Sequence, residues 1–158
     1  MEILKRFLTE HNLAARARVC YQCGVCAGGC AVGKWHGDFN ARRFIQMILR
    51  DEVEEIVKDK KIWLCVYCLT CLERCPQKIE VAEIMVQLKN AAARLGNIPE
   101  NEIKKSRAIM NTGWVQKPGS RILRIRQELG LPDMAPGIES AALRNMAEKL
   151  GWKEKAGE

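Results

Sequence analysis

Eight cysteines fall into two copies of one spacing: Cys20, Cys23, Cys26 and Cys30, then Cys65, Cys68, Cys71 and Cys75 followed by Pro76. The pattern is C-x2-C-x2-C-x3-C twice, and the second copy carries the proline that closes a bacterial ferredoxin run. Three thiolates at i, i+3 and i+6 on a short curl of chain converge on three irons of one cubane, while the fourth iron takes a cysteine from elsewhere. The spacing therefore predicts two [4Fe-4S] clusters, which use every cysteine in the chain. A zinc knuckle needs only C-x2-C pairs and leaves Cys26 and Cys71 without a role. A disulfide framework fits less well still. Residues 1–10 alternate charge with apolar side chains and lack the apolar core and cleavage site of a secretory signal. The expected location is the cytoplasm.

In two-cluster ferredoxins the fourth cysteine of each run ligates the other run's cluster. Carried over as a pattern, Cys20, Cys23, Cys26 and Cys75 would hold the first cluster, and Cys65, Cys68, Cys71 and Cys30 the second. Local closure, with each run keeping its own fourth cysteine, is the alternative. Crossing would tie together segments separated by a long stretch of chain and make cluster binding inseparable from folding of the core.

At 158 residues the chain has the size of a single domain with an extension, and no apolar run approaches membrane-spanning length. The longest candidate, residues 62–69, is expected to wall a cluster. Lys and Arg number 26 against 19 Asp and Glu, a formal charge of +7. Each oxidised cluster with its four thiolates contributes roughly 2−, so the loaded protein is only mildly basic. That argues against nucleic acid as a partner.

The periodicity between and after the runs is helical. Asn40 or Asp38 can cap a helix through Phe44, Ile45, Ile48 and Leu49, and a second short helix carries Val53, Ile56 and Val57. Val81, Ile84, Met85, Leu88, Ala92 and Leu95 follow i, i+3, i+4, i+7 spacing and stop at Gly96. Further helices are expected from Glu102 to about Asn111, from an N-cap at Ser120 to Leu129, and from Ser140 to Leu150. Alternating strands are absent. The expected fold is all-α, an α-helical ferredoxin over residues 1–96 with a helical C-terminal extension over residues 97–158. The first run also holds Gly24, Gly28, Gly29 and Gly33, which let the backbone approach inorganic sulfide closely, while the second run has none. Its intervening residues tolerate helix. Different hydrogen-bonding environments are expected for the two clusters.

Three stretches carry a family resemblance. Cys20-Tyr21-Gln22-Cys23-Gly24-Val25-Cys26-Ala27-Gly28-Gly29-Cys30, the helix at Arg42 to Leu49, and Ile62-Trp63-Leu64-Cys65 leading to Cys71-Leu72-Glu73-Arg74-Cys75-Pro76 resemble the C-type iron–sulfur subunits of heterodisulfide reductases, the HdrC family. The match runs from about Val19 to Gly96 and, more weakly, through Gly130-Leu131-Pro132. Ala31 stands where many such motifs have proline, which leaves ligation intact. The resemblance implies the α-helical ferredoxin fold and an electron relay between a flavoprotein, HdrA, and a catalytic partner, HdrB, in an oxidoreductase complex. It implies no catalytic residue here, because the CCG motifs that build the catalytic clusters belong to HdrB. Methanogen-type and sulfur-oxidising complexes are both compatible with it. The iron–sulfur subunit of a succinate-dehydrogenase or glycolate-oxidase type enzyme shares the helical two-cluster fold and is the alternative. The absence of a plant-type C-x4-C-x2-C domain counts against the succinate-dehydrogenase version.

The remaining chemistry-bearing residues have plainer roles. His11 and His36 are expected at the surface or in packing, since eight cysteines satisfy two cubanes. Trp35, Trp63, Tyr21 and Tyr67 flank cysteines and are expected to shield the clusters from water. The basic groups Lys104, Lys105 and Arg107, and Lys117, Arg121, Arg124 and Arg126, form solvated helix faces or a docking surface for an acidic partner.

Overall fold

The computed structural model describes residues 9–132 and 140–149. These residues divide into two compact units, with the boundary between Ile98 and Pro99. Among the described residues there is no strand.

The first unit runs through α1 (Leu13–Arg18), α2 (Val25–Gly28), α3 (Ala31–Trp35), α4 (Ala41–Leu49), α5 (Val53–Lys58), a 3-10 turn (Lys60–Leu64), α6 (Thr70–Glu73) and α7 (Val81–Arg94). The longer helices form where the apolar spacing is helical. Phe44, Ile45 and Ile48 of α4 are buried, as are Val53, Ile56 and Val57 of α5 and Val81, Ile84, Met85, Leu88 and Ala92 of α7. Leu95, the last member of the α7 stripe, is instead 44% exposed because it caps the helix rather than lying on its face. α1 packs on α4, while α5 and the 3-10 turn pack on α7. The resulting core is entirely apolar among the described residues. Each fully buried Leu, Ile or Met contributes about 1.5–3 kcal/mol relative to exposure.

The ends of these helices obey local chemistry. Asn40, not Asp38, is the N-cap of α4, its side-chain oxygen accepting from the Arg43 N–H at 3.2 Å. α7 ends in a Schellman turn: Asn97 N–H donates to Ala92 O at 2.9 Å and Gly96 N–H to Ala93 O at 3.0 Å.

The second unit contains α8 (Glu100–Thr112), α9 (Ser120–Glu128) and α10 (Ser140–Lys149). Gly119, not Ser120, is the N-cap of α9, and no side chain caps it. Leu150, the expected end of α10, lies outside the described residues. No residue of α8 or α9 is buried, and Ile122, Leu129 and Met146 are more than half exposed.

Candidate metal centre

The two cysteine runs trace the same backbone path. In the first, Gln22 and Gly24 take the left-handed conformation on either side of Cys23, with φ of 61° and 83°; in the second, Tyr67 and Leu69 do so on either side of Cys68, with φ of 54° and 63°. One helical turn follows each, α2 and α6, carrying the third cysteine. The second cysteine of each run is exposed and the other three are partly buried. The fourth cysteine is an acceptor in both cases. Gly33 N–H reaches Cys30 Sγ at 3.4 Å, and Ile79 N–H reaches Cys75 Sγ at 3.3 Å.

The runs face each other through α2 and α6, which are in contact. Cys30 from the first run joins Cys65, Cys68 and Cys71 from the second around one recess, with about 400 Å³ of atom-free space partly open to solvent. Its apolar wall comes from Phe39, Ala41, Ala82 and Met85. Cys75 in turn lies within electrostatic reach of Tyr21 in the first run. Among the described residues no three Cys, His, Asp or Glu side chains gather closely enough to hold a single ion. Around one zinc, sulfurs bound at about 2.3 Å would stand only ~3.8 Å from one another. The cysteines surround a volume rather than a point.

Positive metal would offset the burial and crowding that oppose thiolate charge at two of these sulfurs. Burial pushes the Cys71 thiol up to about 11, and the neighbouring Cys65, Cys26 and Cys68 thiolates push the same way. Burial likewise raises Cys26, with Cys20 adding to it. Cys68 is held below the usual thiol range, first by the Thr70 hydroxyl 3.5 Å from its sulfur. The first run has a different polar neighbour, the Gln22 amide, which donates to Cys20 Sγ at 3.3 Å. Four sulfurs converging from two segments fit a multi-iron cluster, which would neutralise their thiolates jointly.

The glycines of the first run do separate jobs. A Cβ on Gly33 would stand 2.9 Å from the Phe39 carbonyl oxygen, so no side chain fits there. Gly24 supplies a left-handed turn, whereas Gly28 has open space around it. Cations stand beside this run as well: Arg74 Nη1 lies 3.1 Å from where a Gly29 Cβ would be, and Arg42 Nη1 3.8 Å from the Gly24 equivalent.

Two of the four aromatic residues expected to shield the clusters lie mostly in solvent. Trp35 ends the short α3 and is 82% exposed, and Tyr21 is 58% exposed. Tyr67 lines the recess, its hydroxyl donating to Glu83. Trp63 is fixed in the core side of the unit, its indole N–H donating to Asn97 O at 3.0 Å. His36 is exposed and His11 half-buried. The neighbours that the cysteine spacing did not point to are Gln22, Thr70, Arg42, Arg74 and Lys89. Gln22, Thr70 and Arg74, each directly before a cysteine, carried a local signal.

Known proteins match the same segment. A family model described as a 4Fe-4S dicluster domain matches residues 16–79. The chain is 29% identical over 145 residues to the second C-type iron-sulfur subunit of the CoB--CoM heterodisulfide reductase of Methanocaldococcus jannaschii, covering 85% of this chain and 77% of that protein. It is 33% identical over 121 residues to the C-type subunit of the ferredoxin/F(420)H(2)-dependent CoB-CoM heterodisulfide reductase of Methanosarcina acetivorans, covering 76% and 73%. A protein of Archaeoglobus profundus, described as like the C-type heterodisulfide reductase subunits, is 28% identical over 127 residues, covering 80% and 66%. The cofactors of this helical chain are two [4Fe-4S] clusters. No helix among the described residues is long and apolar enough to cross a membrane.

Proposed function

Because the chain belongs to the HdrC family of heterodisulfide reductase iron–sulfur subunits, we propose that it is the electron-relay subunit of such a complex. It passes electrons between the flavoprotein HdrA and the CCG-motif catalytic protein HdrB. Cys20, Cys23, Cys26 and Cys75 hold one [4Fe-4S] cluster, and Cys65, Cys68, Cys71 and Cys30 the other, within an α-helical ferredoxin unit. The observation that carries this reading is the recess in which Cys30 stands with Cys65, Cys68 and Cys71. Local closure would ask for Cys75 in that position.

When bound, each cluster accepts and releases one electron at a time. The chain's own residues hold and insulate. The eight thiolates take all eight ligand positions, so no iron is left open for a disulfide, whose cleavage needs two electrons. Backbone N–H groups of Gly33 and Ile79 steady the fourth sulfurs, and Phe39, Ala82 and Met85 keep water from one side of the recess. Thiols kept for clusters need a reducing compartment, which supports the cytoplasm.

The second unit fits a docking role. No residue of its helices α8 and α9 is fully buried, and Val115, Ile122, Leu123, Leu129 and Leu131 are exposed, as are Lys117 and Arg121. HdrA and HdrB are the proposed cover.

Anaerobically reconstituted protein is expected to hold about eight irons and to show interacting [4Fe-4S] signals on reduction. Alone, it should take electrons from reduced viologen and reduce no disulfide until HdrB is added. Removing residues 120–158 should leave cluster content near normal and weaken assembly with HdrA and HdrB. Disulfide turnover by the isolated, fully loaded chain contradicts the relay role.

A further inference from the structure

We propose that Lys89 sets the reduction potential of the cluster on the second cysteine run, favouring its reduced state about tenfold over the same site without the ammonium. The inference rests on the reading that Cys65, Cys68 and Cys71 hold a cluster. Lys89 follows the fully buried Leu88 on α7, and its ammonium donates to the carbonyl oxygen of Cys65 at 2.6 Å. The same ammonium stands 5.8 Å from the centroid of the Trp63 ring, a cation–π distance.

This long side chain is held from several directions. Trp63 is anchored through its indole N–H on Asn97 O at 3.0 Å, and the Asn97 amide donates to Val57 O at 2.6 Å. Asn97 is itself fixed by the turn that closes α7, through its N–H on Ala92 O. The ammonium is thus carried on rigid parts of the fold and directed at the first ligand of the run.

Among the described residues no carboxylate pairs with Lys89. Glu83, which α7 also presents toward this run, is engaged by the Tyr67 hydroxyl instead. A lysine with only a packing role extends its ammonium into water or pairs it with an acid. Here the charge is partly withdrawn from water with only carbonyl and ring partners, and the negative charge it can act on is that of the thiolates. An added electron makes that site more negative, and a fixed cation in a medium of low dielectric stabilises the product. The potential therefore rises. The bond to Cys65 joins Lys89 to the second run only, while the cations beside the first run are Arg42 and Arg74.

The test is a redox titration of full-length, cluster-loaded protein, followed by electron paramagnetic resonance. The second-run wave is identified as the one that Cys68→Ser displaces or removes. Lys89→Gln keeps an N–H for the Cys65 carbonyl and removes only the charge. It should move that wave to lower potential by about 59 mV, a tenfold change for one electron, and move the other wave by much less. Lys89→Arg should restore the original value. Trp63→Leu, which frees the ammonium from the ring, should give a smaller shift in the same direction and serves where Lys89→Gln loads poorly. An unmoved wave in a fully loaded Lys89→Gln protein, or a Lys89→Arg wave displaced like that of Lys89→Gln, overturns the proposal. Loss of the second-run cluster in both Lys89→Gln and Trp63→Leu also overturns it, by assigning the pair a structural role. An unmodified protein with only the first cluster would instead refute the ligand reading.

Discussion

Gly24 and Leu69 stand at the same point of the same curve, one residue after the second cysteine of each run, and only Gly24 is suited to it. Both backbones are left-handed, at φ of 83° and 63°. Glycine takes this conformation without steric cost, while a leucine pays about 1–2 kcal/mol. The two runs keep one path although their residue preferences differ. Leu69 offsets part of its strain by lining the apolar recess around Cys65, Cys68 and Cys71. The first run holds one non-glycine residue, Gln22, in the left-handed region, while the second holds two, Tyr67 and Leu69, and gains an apolar wall from Leu69.

The largest difference between the runs should appear at the residues that donate to their fourth cysteines. Gly33→Ala puts a Cβ 2.9 Å from the Phe39 carbonyl, which cannot retreat without moving the chain between α3 and α4. We expect a loss of about 2 kcal/mol or more, with early bleaching of cluster absorbance on heating. Ile79 donates the same bond to Cys75 from its backbone N–H, and its side chain is already accommodated in the core. Ile79→Val should cost only about 1 kcal/mol. Equal sensitivity at the two positions would break the comparison.

A smaller effect is expected at the strained pair. Gly24→Ala should destabilise by about 1 kcal/mol, measured by denaturant unfolding of the anaerobic holoprotein. Leu69→Gly should change stability by less than about half of that in either direction, because relief of strain offsets lost apolar contact and added chain entropy. A large loss from Leu69→Gly would mean that the wall outweighs the backbone.

The smallest effect concerns acid. Cys26 and Cys71 have thiol values pushed upward, so their thiolate forms are lost early as pH falls, and protons then compete with iron. Cluster loss should therefore be driven by lowering the pH. Thr70 holds Cys68 down. Thr70→Ala should raise that thiol and move loss of the second-run cluster to higher pH, by a fraction of a unit, with the first-run cluster unmoved. Absorbance and iron release across a pH series would read both.

The sequence carried the parts of this arrangement that depend on spacing. The cysteine runs, the stripes of α4 and α7, and the Gly96 turn were legible because local period and capping chemistry decide them. The left-handed Gln22, Tyr67 and Leu69 were not, since nothing in a glutamine, tyrosine or leucine announces positive φ. Trp35 read as a shield from its place after Cys30, yet a helix of five residues turns it to solvent. Lys89 was silent for another reason. Its partner, Cys65, is 24 residues away, and the contact exists only once α7 lies against the 3-10 turn.

The crossing of the fourth cysteines is the claim on which the rest depends, and paired serine substitutions test it most directly. Redox titration should show Cys30→Ser displacing or removing the same wave as Cys68→Ser, and Cys75→Ser the same wave as Cys23→Ser. If Cys30→Ser instead acted on the wave of Cys23, and Cys75→Ser on that of Cys68, each run would close on itself. The recess shared by Cys30, Cys65, Cys68 and Cys71 would then not be a cluster site.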